Sequence, residues 1–258
     1  MDSILELKHI SYSYHTPEGE TRALSDISFS LNNGEFLAIV GPSGCGKSTL
    51  LSIICGLLDP EKGFIKLNGH YHQSADNLIG YMLQHDHLFE WRTIYENVIL
   101  GLEIQHKFPG LTEKEKCRAN ELLKAYGLDK FQKARPSELS GGMRQRAALI
   151  RTLLMEPKVL LLDEPFSALD YQTRLNVADD IGQILRREKR TAILVTHDLS
   201  EAISLADRII ILSKRPASIQ ETIRIKFDLE NDTPMLRRNA PEFKNYFNLI
   251  WKELNENE

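Results

Sequence analysis

The order of hydrophobic and polar positions divides the chain into regions with different periodicities. Residues 1–40 alternate between apolar and polar positions around a Pro-Glu-Gly turn at residues 17–19, which predicts an antiparallel hairpin. Residues 35–40 form a short apolar run typical of a buried strand. Residues 85–155 have helical character, and residues 159–212 alternate between strand-like and helix-like segments. The pattern therefore predicts an α/β protein with an antiparallel region and a helical insertion.

Local signals also predict where helices begin and end. Thr112 and Glu115 have the spacing of a capping box, and Gly127 is placed to end the helix that follows. From residue 213 the chain becomes proline-containing and mixed in charge, and residues 241–254 predict a terminal helix rich in aromatic side chains. These signals complete the expected helical region and add a C-terminal tail.

A glycine-rich segment connects the strand at residues 35–40 to an apolar helix at residues 48–58. It fits the phosphate-loop pattern G-x-x-x-x-G-K-[ST]. Its members are Gly41, Pro42, Ser43, Gly44, Cys45, Gly46, Lys47, Ser48 and Thr49. The glycines let successive backbone N–H groups converge on one anion, and the helix N-terminus adds partial positive charge. We expect Lys47 to reach the β- and γ-phosphates of a nucleotide and the Ser48 hydroxyl to bind Mg²⁺.

Two acidic residues follow the apolar run at residues 159–162. Carboxylates at the end of a central strand are costly to bury unless a cation or a proton accompanies them. Asp163 is therefore expected to interact with Mg²⁺, either as a ligand or through an intervening group. Glu164 is expected to act as the general base that polarises a water toward the γ-phosphate.

A second helix start also has the features of an anion site. Ser140 is a good N-cap, and Gly141 and Gly142 allow the backbone to approach an anion closely. Residues 144–155 then continue as a helix with a broad apolar face. Because the phosphate loop already serves this chain's nucleotide, a second anion site indicates a nucleotide held by another copy. Taken alone, the same residues would indicate an ordinary capped helix.

Together these motifs resemble the ATP-binding subunit of an ABC transporter over nearly the whole chain. The resemblance implies a P-loop NTPase (RecA-like) α/β core with an antiparallel β subdomain and an inserted α-helical subdomain. The core would comprise residues 1–84 and 156–220, the helical subdomain residues 85–155, and the tail residues 221–258. The implied cofactors are ATP and Mg²⁺, and the implied activity is ATP hydrolysis coupled to transport.

The resemblance also implies roles for residues that periodicity alone does not single out. Gln84 matches the loop glutamine that senses Mg²⁺ and the γ-phosphate, and Asp170 matches a loop that crosses the dimer interface. His197, after a strand-like run, matches the histidine that contacts the γ-phosphate, although a lone histidine there is more often structural. Tyr14 matches the ring that stacks on adenine. Tyr12 lies on the same face of the predicted strand, so the alternation does not choose between the two.

Composition limits the partners of the chain. Its 258 residues carry a formal net charge of −4, which gives no basic excess for general nucleic-acid binding. Three cysteines without paired metal spacing suit a reducing compartment. The N-terminus lacks the basic and apolar regions of a signal peptide, and no apolar stretch approaches the length of a membrane span. Any membrane role is therefore expected to depend on a partner.

The implied assembly is a homodimer of ATPase subunits at the cytoplasmic face of the membrane. The dimer would dock on integral membrane permease subunits. A periplasmic or lipid-anchored solute-binding protein would deliver the solute to these subunits. The tail and Trp91 resemble the nitrate, sulfonate and taurine importer group, although the tripeptide here is Phe89-Glu90-Trp91, where relatives often have a proline before the tryptophan. Thiamine-precursor importers share much of this pattern, so both solute classes remain open.

Two expectations concern individual side chains. His87, Leu88, Phe89 and Trp91 form an apolar cluster after Gln84 that is expected to contact the membrane subunits, with packing inside the helical region as the alternative for Leu88. In addition, the Cys45 thiol is expected to be more reactive than those of Cys55 and Cys117, because it lies beside Lys47 at a helix N-terminus.

Two other function classes compete with the transporter subunit. One is a soluble ABC-type ATPase that acts on nucleic acid or the ribosome, but such proteins usually carry a long coiled-coil insertion or two ATPase cassettes. The other is a P-loop kinase or switch protein, which has no use for a second phosphate-binding helix start.

Overall fold

The computed structural model describes residues 3–17, 19–72, 78–106 and 110–255. The strands are β1 (Ser3–Thr16), β2 (Gly19–Asn32), β3 (Phe36–Val40), β4 (Lys62–Leu67), β5 (His70–Tyr71), β6 (Ile79–Met82), β7 (Val159–Asp163), β8 (Thr191–Val195), β9 (Arg208–Leu212) and β10 (Ile219–Arg224). The helices are α1 (Lys47–Ile54), α2 (Ile94–Val98), α3 (Leu100–His106), α4 (Glu113–Ala125), α5 (Gly141–Leu153), α6 (Tyr171–Arg187), α7 (Leu199–Leu205), α8 (Pro234–Asn239) and α9 (Pro241–Asn255). Two 3-10 helices, Asp129–Phe131 and Pro136–Glu138, lie between α4 and α5.

The predicted N-terminal hairpin forms one side of an antiparallel sheet with the strand order β2-β1-β4-β5. Thr16 pairs with Gly19 across the turn, of which Glu18 lies outside the described residues. Gly63 at the start of β4 has φ of +87°, and a Cβ there would lie 2.2 Å from the carbonyl oxygen of Lys8. Only glycine allows β4 to approach β1 so closely.

The second sheet has the order β10-β9-β3-β8-β7-β6, in which all neighbours are parallel except β9 and β10. Strands β3, β6, β7 and β8 therefore end at one edge of the sheet. The segments that follow them are the phosphate loop, Gln84, Glu164 and His197. In open α/β sheets, ligands bind outside the carboxyl ends of the strands.

Alternate side chains of the parallel strands point into two hydrophobic clusters, one on each face of the sheet. In β3, Leu37 and Ile39 join the cluster that contains α1 and the antiparallel sheet, whereas Ala38 and Val40 join the cluster beneath α5, α6 and α7. Because both faces are covered, these strands are continuous apolar runs, as the sequence indicated.

The predicted helix signals at α4 have their expected geometry. The Thr112 hydroxyl accepts a hydrogen bond from the backbone N–H of Glu115, and the Glu115 carboxylate accepts one from the backbone N–H of Thr112. Gly127 follows the helix with φ of +71°. Of the two alternatives for Leu88, packing in the core is the observed one, since this residue is 8% exposed.

The tail covers the C-terminal end of α7. Arg237, which is 3% exposed, donates to the carbonyl of Ala206 at 2.7 Å, and Arg186 donates to that of Leu205 at 2.7 Å. Asp232 pairs with both arginines. Ile250 of the predicted terminal helix is fully buried. Among the described residues, no helix combines the length and the apolar character needed to cross a bilayer.

Candidate active site

The phosphate loop lines a cavity of about 510 Å³ at the carboxyl edge of the parallel sheet. The lining comprises Ser43, Gly44, Gly46, Lys47, Ser48, Thr49, Glu164, His197 and Arg215. A larger cavity of about 680 Å³ lies between α4, α6 and residues 231–233, but it is lined by no residue of the loop. Volume therefore does not identify the site, whereas the set of phosphate-binding and acidic groups does.

Backbone geometry explains the glycines of the loop. Gly44 has φ of +70° and Gly46 has φ of +127°. A Cβ on Gly46 would lie 2.9 Å from Cδ2 of Leu24 and 3.1 Å from the carbonyl of Ala23. Lys47 is 7% exposed, and its ammonium donates to the carbonyls of Gly41 at 2.8 Å and Pro42 at 2.9 Å. The loop thus places a cation beside glycine backbone at a helix N-terminus, an arrangement that fits a phosphate chain.

Asp163 lies at the end of β7 within reach of two hydroxyl groups. Ser48 Oγ donates to its Oδ1 at 3.3 Å, and the Tyr81 hydroxyl donates to its Oδ2 at 3.1 Å. Burial raises the pKa of Asp163, and the two hydrogen bonds oppose that rise. A cation beside this carboxylate would offset its loss of hydration. Hydroxyl and carboxylate oxygens are ligands that Mg²⁺ accepts, so the residues fit this metal.

Tyr81 was not singled out in the sequence. Burial and the neighbouring Asp163 charge raise the pKa of its hydroxyl above the ordinary range, which keeps it a hydrogen-bond donor. The only signal available was its position on a strand parallel to β7, and that pairing is a tertiary feature.

Glu164 lies at the centre of a cluster that unites three predicted residues. Its Oε2 is 3.0 Å from Nδ1 of His197 and accepts from Nε2 of Gln84 at 3.4 Å. Its backbone has φ of +43°, and its N–H donates to the carbonyl of Val195 at 2.8 Å. Ser167 donates to the Glu164 carbonyl at 3.0 Å. A left-handed conformation is uncommon for a residue with a side chain, and these bonds stabilise it.

A buried carboxyl holds Thr196, the residue that precedes His197. Glu201 is 4% exposed, accepts from the Thr196 hydroxyl at 2.7 Å and lies 4.0 Å from Nε of Arg174. Burial raises the pKa of Glu201 to about 7. This support was missed in the sequence, because Glu201 there reads as one charge of an amphipathic helix.

Comparison with known proteins identifies the family. Residues 24–167, more than half of the chain, match the family model described as ABC transporter.

The chain belongs to the ABC transporter family.

Relatives and solved structures agree with this assignment. The chain is 46% identical to the ABC transporter ATP-binding protein YtlC of Bacillus subtilis (strain 168), over 98% of this chain and 96% of the relative. It is 41% identical to the aliphatic sulfonates import ATP-binding protein SsuB of Bacillus licheniformis, over 93% and 89%. A dimeric ATP-binding cassette, MJ0796 bound to ADP and Pi, superimposes with a TM-score of 0.74 at 31% identity, covering 86% of this chain and 99% of that one.

The fold is thus the P-loop NTPase fold of ABC cassettes, as the motifs indicated. The protein is an ATPase that uses ATP and Mg²⁺. The P-loop kinase and switch alternatives are excluded by the family assignment.

In this ABC ATPase, Tyr14 lies nearer to the phosphate loop than Tyr12. The Tyr14 hydroxyl is 3.0 Å from Oγ1 of Thr49, and its ring is 40% exposed. Tyr12 packs partly against the core and contacts the Tyr14 ring edge-on at 5.1 Å. A shift in the β1–β2 register between Tyr12 and Ser13 breaks the regular alternation. Local irregularity therefore separates two residues that periodicity treats as equivalent.

The second helix start lies apart from the phosphate-loop cavity of the same chain. Ser140 caps α5 by accepting from the backbone of Met143 at 3.4 Å. A Cβ on Gly141 would lie 2.9 Å from Cδ2 of Leu169, and one on Gly142 would lie 2.8 Å from Cγ2 of Val177. Among the described residues, the cavity lining includes neither glycine nor Ser140. Both glycines thus have a packing reason in addition to the expected approach to an anion.

Asp170 caps the next helix. Its carboxylate accepts from the backbone of Thr173 at 3.0 Å, and this bond lowers its pKa. The side chain is exposed, at a position just before α6.

Arg215 is a lining residue that the sequence did not mark for nucleotide binding. Its guanidinium donates to the Gly44 carbonyl at 2.7 Å.

The expected reactivity of Cys45 does not fit the structure. This side chain is 2% exposed and packs with the hydrophobic cluster around α1, and its N–H donates to the Pro42 carbonyl at 3.3 Å. A reagent in solution therefore does not reach the thiol. Burial raises the pKa of Cys55, in line with its expected inertness, and Cys117 is exposed.

Proposed function

We propose that this ABC ATPase is the ATP-hydrolysing subunit of an importer that drives the uptake of a small solute through separate membrane subunits. The observation that carries the proposal is the convergence of Glu164, Gln84 and His197 beside a complete phosphate loop. The sulfonate import relative, which aligns over 93% of this chain, supports the direction of transport. The name of this relative mentions neither nucleic acid nor the ribosome. No observation supports the alternative of a soluble ATPase that acts on a macromolecule.

The proposed roles rest on the family resemblance and are supported by the contacts at the site. Lys47 binds the β- and γ-phosphates, and Ser48, Gln84 and Asp163 hold Mg²⁺. When bound, Mg²⁺ supplies the positive charge that offsets the charge of the reacting phosphates. Glu164 accepts the proton of the attacking water as a general base. With Nδ1 3.0 Å from the Glu164 carboxylate, His197 orients that base toward the γ-phosphate.

The arrangement requires a second copy of the chain. Ser140, Gly141 and Gly142 do not line this chain's own cavity, which supports their use at the phosphate of a partner subunit. The solved dimer of MJ0796 is consistent with such a pair. We assign Tyr14 to adenine stacking and Asp170 to contact across the dimer. ATP then favours the closed pair, and hydrolysis reopens it.

The exposed aromatic pair after Gln84 is the proposed contact with integral membrane permease subunits. Trp91 is 71% exposed and Phe89 is 37% exposed, and their ring centroids are 4.6 Å apart. Such a surface costs solubility unless a partner covers it. The ATPase dimer would then lie at the cytoplasmic face of the membrane, and a separate solute-binding protein would deliver the solute.

The proposed organisation assigns residues 1–84 and 156–220 to the ATP-binding core, residues 85–155 to the helical subdomain and residues 221–258 to the tail. The proposed solute is a nitrate-, sulfonate- or taurine-like anion, or a thiamine precursor.

Replacing Glu164 with glutamine tests the proposed mechanism. The amide preserves shape but does not take the proton, so we expect steady hydrolysis to fall about 10²–10⁴-fold. ATP binding should be retained, and the variant should accumulate as an ATP-bound dimer in size-exclusion chromatography. Glu230→Gln, an exposed carboxylate in the tail, is the matched control and should hydrolyse ATP normally. Near-normal turnover by Glu164→Gln would remove Glu164 from the base role.

A further inference from the structure

We propose that Arg144 and Asp86 form a link through which the nucleotide site of one copy positions the anion-binding helix start that serves the other copy. This inference rests on the two-copy arrangement proposed above. It assigns positioning roles to two residues that do not themselves line the phosphate-loop cavity.

One guanidinium joins the two segments directly. Arg144 Nε donates to Oδ2 of Asp86 at 3.1 Å, and Asp86 is two residues beyond Gln84. The same side chain donates through its Nη1 to the carbonyl of Leu139 at 3.2 Å, and Leu139 immediately precedes Ser140. Arg144 therefore contacts the Gln84 loop on one side and the helix start on the other.

A second arginine attaches the same loop further along α5. Arg151 lies about two turns after Arg144, and it donates to the backbone carbonyls of Asp86 at 2.7 Å and His87 at 2.8 Å. Asp86 Oδ1 in turn accepts from the N–H of Leu88, which packs in the core. With attachments at two points, the loop is expected to move together with α5.

The other end of the loop contacts the reacting groups. Gln84 Nε2 is 3.4 Å from both the Glu164 carboxylate and the Ser167 hydroxyl. A nucleotide that repositions Gln84 would therefore shift the loop, and Arg144 would carry the shift to Leu139 and Ser140. In a two-copy sandwich these residues face the partner's nucleotide, so the link couples the two sites.

The exposure of the pair means that it adds little stability, so the positioning role can be tested without unfolding the chain. The Arg144 and Asp86 side chains are 37% and 25% exposed, and ion pairs open to water add little to stability. Removing the pair should therefore leave the fold intact and change how ATP binding leads to dimerisation. Arg151 is less suitable for a test, because its two backbone contacts also maintain the loop.

The test uses the full-length chain in the Glu164→Gln background, where ATP is bound but not turned over. Titration of ATP against dimer formation in size-exclusion chromatography is compared for this parent, with Arg144→Ala added and with Asp86→Asn added. Binding of a fluorescent ATP analogue at protein concentrations that keep the chain monomeric is measured alongside. We expect either addition to raise the ATP concentration needed for dimerisation by about fivefold or more. Monomer binding and the melting temperature should stay unchanged.

Two further variants separate the link from local effects. The double variant Asp86→Asn/Arg144→Ala should be no worse than either single variant, because both remove one connection. Arg144→Lys should also be impaired, because an ammonium does not reproduce the fork that reaches Asp86 and Leu139 together. Lys116→Ala, which breaks an exposed ion pair with Glu113 on α4, is the control and should dimerise like the parent.

The outcomes distinguish this link from the proposal on which it rests. If Glu164→Gln alone never dimerises with ATP, the two-copy arrangement is wrong, and the link is lost with it. If the parent dimerises and Arg144→Ala or Asp86→Asn dimerises at the same ATP concentration, the link is overturned while the sandwich stands. Additive effects in the double variant would likewise show that the two residues act separately.

Discussion

The buried carboxyl of Glu201 should make the stability of this ABC ATPase depend on pH. Burial raises the pKa of Glu201 from 4.5 to about 7, whereas the Thr196 hydrogen bond and Arg174 act in the opposite direction. Between pH 4.5 and about pH 7, the Glu201 carboxyl keeps its proton in the folded chain and loses it in the unfolded chain. The stability that this group contributes is therefore fully present below pH 4.5 and is lost as the pH rises to about 7.

The size of the effect follows from the same two values. A pKa of about 7 in the folded chain against 4.5 corresponds to about 3 kcal/mol, since one pKa unit is about 1.4 kcal/mol. Because Glu201 is only 4% exposed, water reduces this free-energy contribution little. The free energy of unfolding of a native protein is only about 5–15 kcal/mol, so this contribution is a measurable share of it.

Urea unfolding of the native chain and of Glu201→Gln at several pH values between 5 and 8 measures this contribution. Glutamine still accepts from Thr196 but carries no charge, so the variant should gain about 3 kcal/mol relative to the native chain as the pH rises across this range. Other titrating groups cancel in the difference between the two proteins. Glu230→Gln, which removes an exposed carboxylate, should show no such trend. Parallel stability curves for the native chain and Glu201→Gln would refute the reasoning.

Three further predictions use different parts of the molecule. Gly142→Ala should cost about 1–3 kcal/mol in urea unfolding, because its Cβ meets Cγ2 of Val177 at 2.8 Å, and adding Val177→Ala should recover part of the loss. Trp91→Ala, at a 71% exposed position, should keep the native melting temperature and ATPase rate but abolish transport in vesicles with the permease; a collapsed melting temperature would instead place Trp91 in the core. Maleimide labelling followed by mass spectrometry should modify Cys117 first and Cys45 only on unfolding, with ATP giving no protection; rapid labelling of Cys45 would contradict its burial.

Much of the fold was predictable because its signals are local. The capping box of Thr112 and Glu115 lies within four residues, and so does the Ser140 cap of α5. The apolar runs of β3, β7 and β8 indicate strands buried on both faces. The motifs that end or follow these strands led to the family that the comparison then showed. For the candidate site, the sequence named Gln84, Glu164 and His197, and the parallel sheet brings their side chains together.

Other features depend on contacts between distant parts of the chain. The register shift that separates Tyr14 from Tyr12 and the burial of Cys45 and Leu88 follow from packing that no local pattern records.

The sequence by itself determined the phosphate loop, the acidic strand end, the capped helix start and the family, because each is written in a few adjacent residues. Only the tertiary structure decided which side chains support them. Glu201 of α7 lies 4.0 Å from Nε of Arg174 of α6, and Arg215 reaches Gly44 across 171 positions. Arg144 meets Asp86 across 58 positions, because α5 packs beside the strand that leads to Gln84. Such pairings follow from the order of the strands and the packing of the helices, which depend on the whole chain at once.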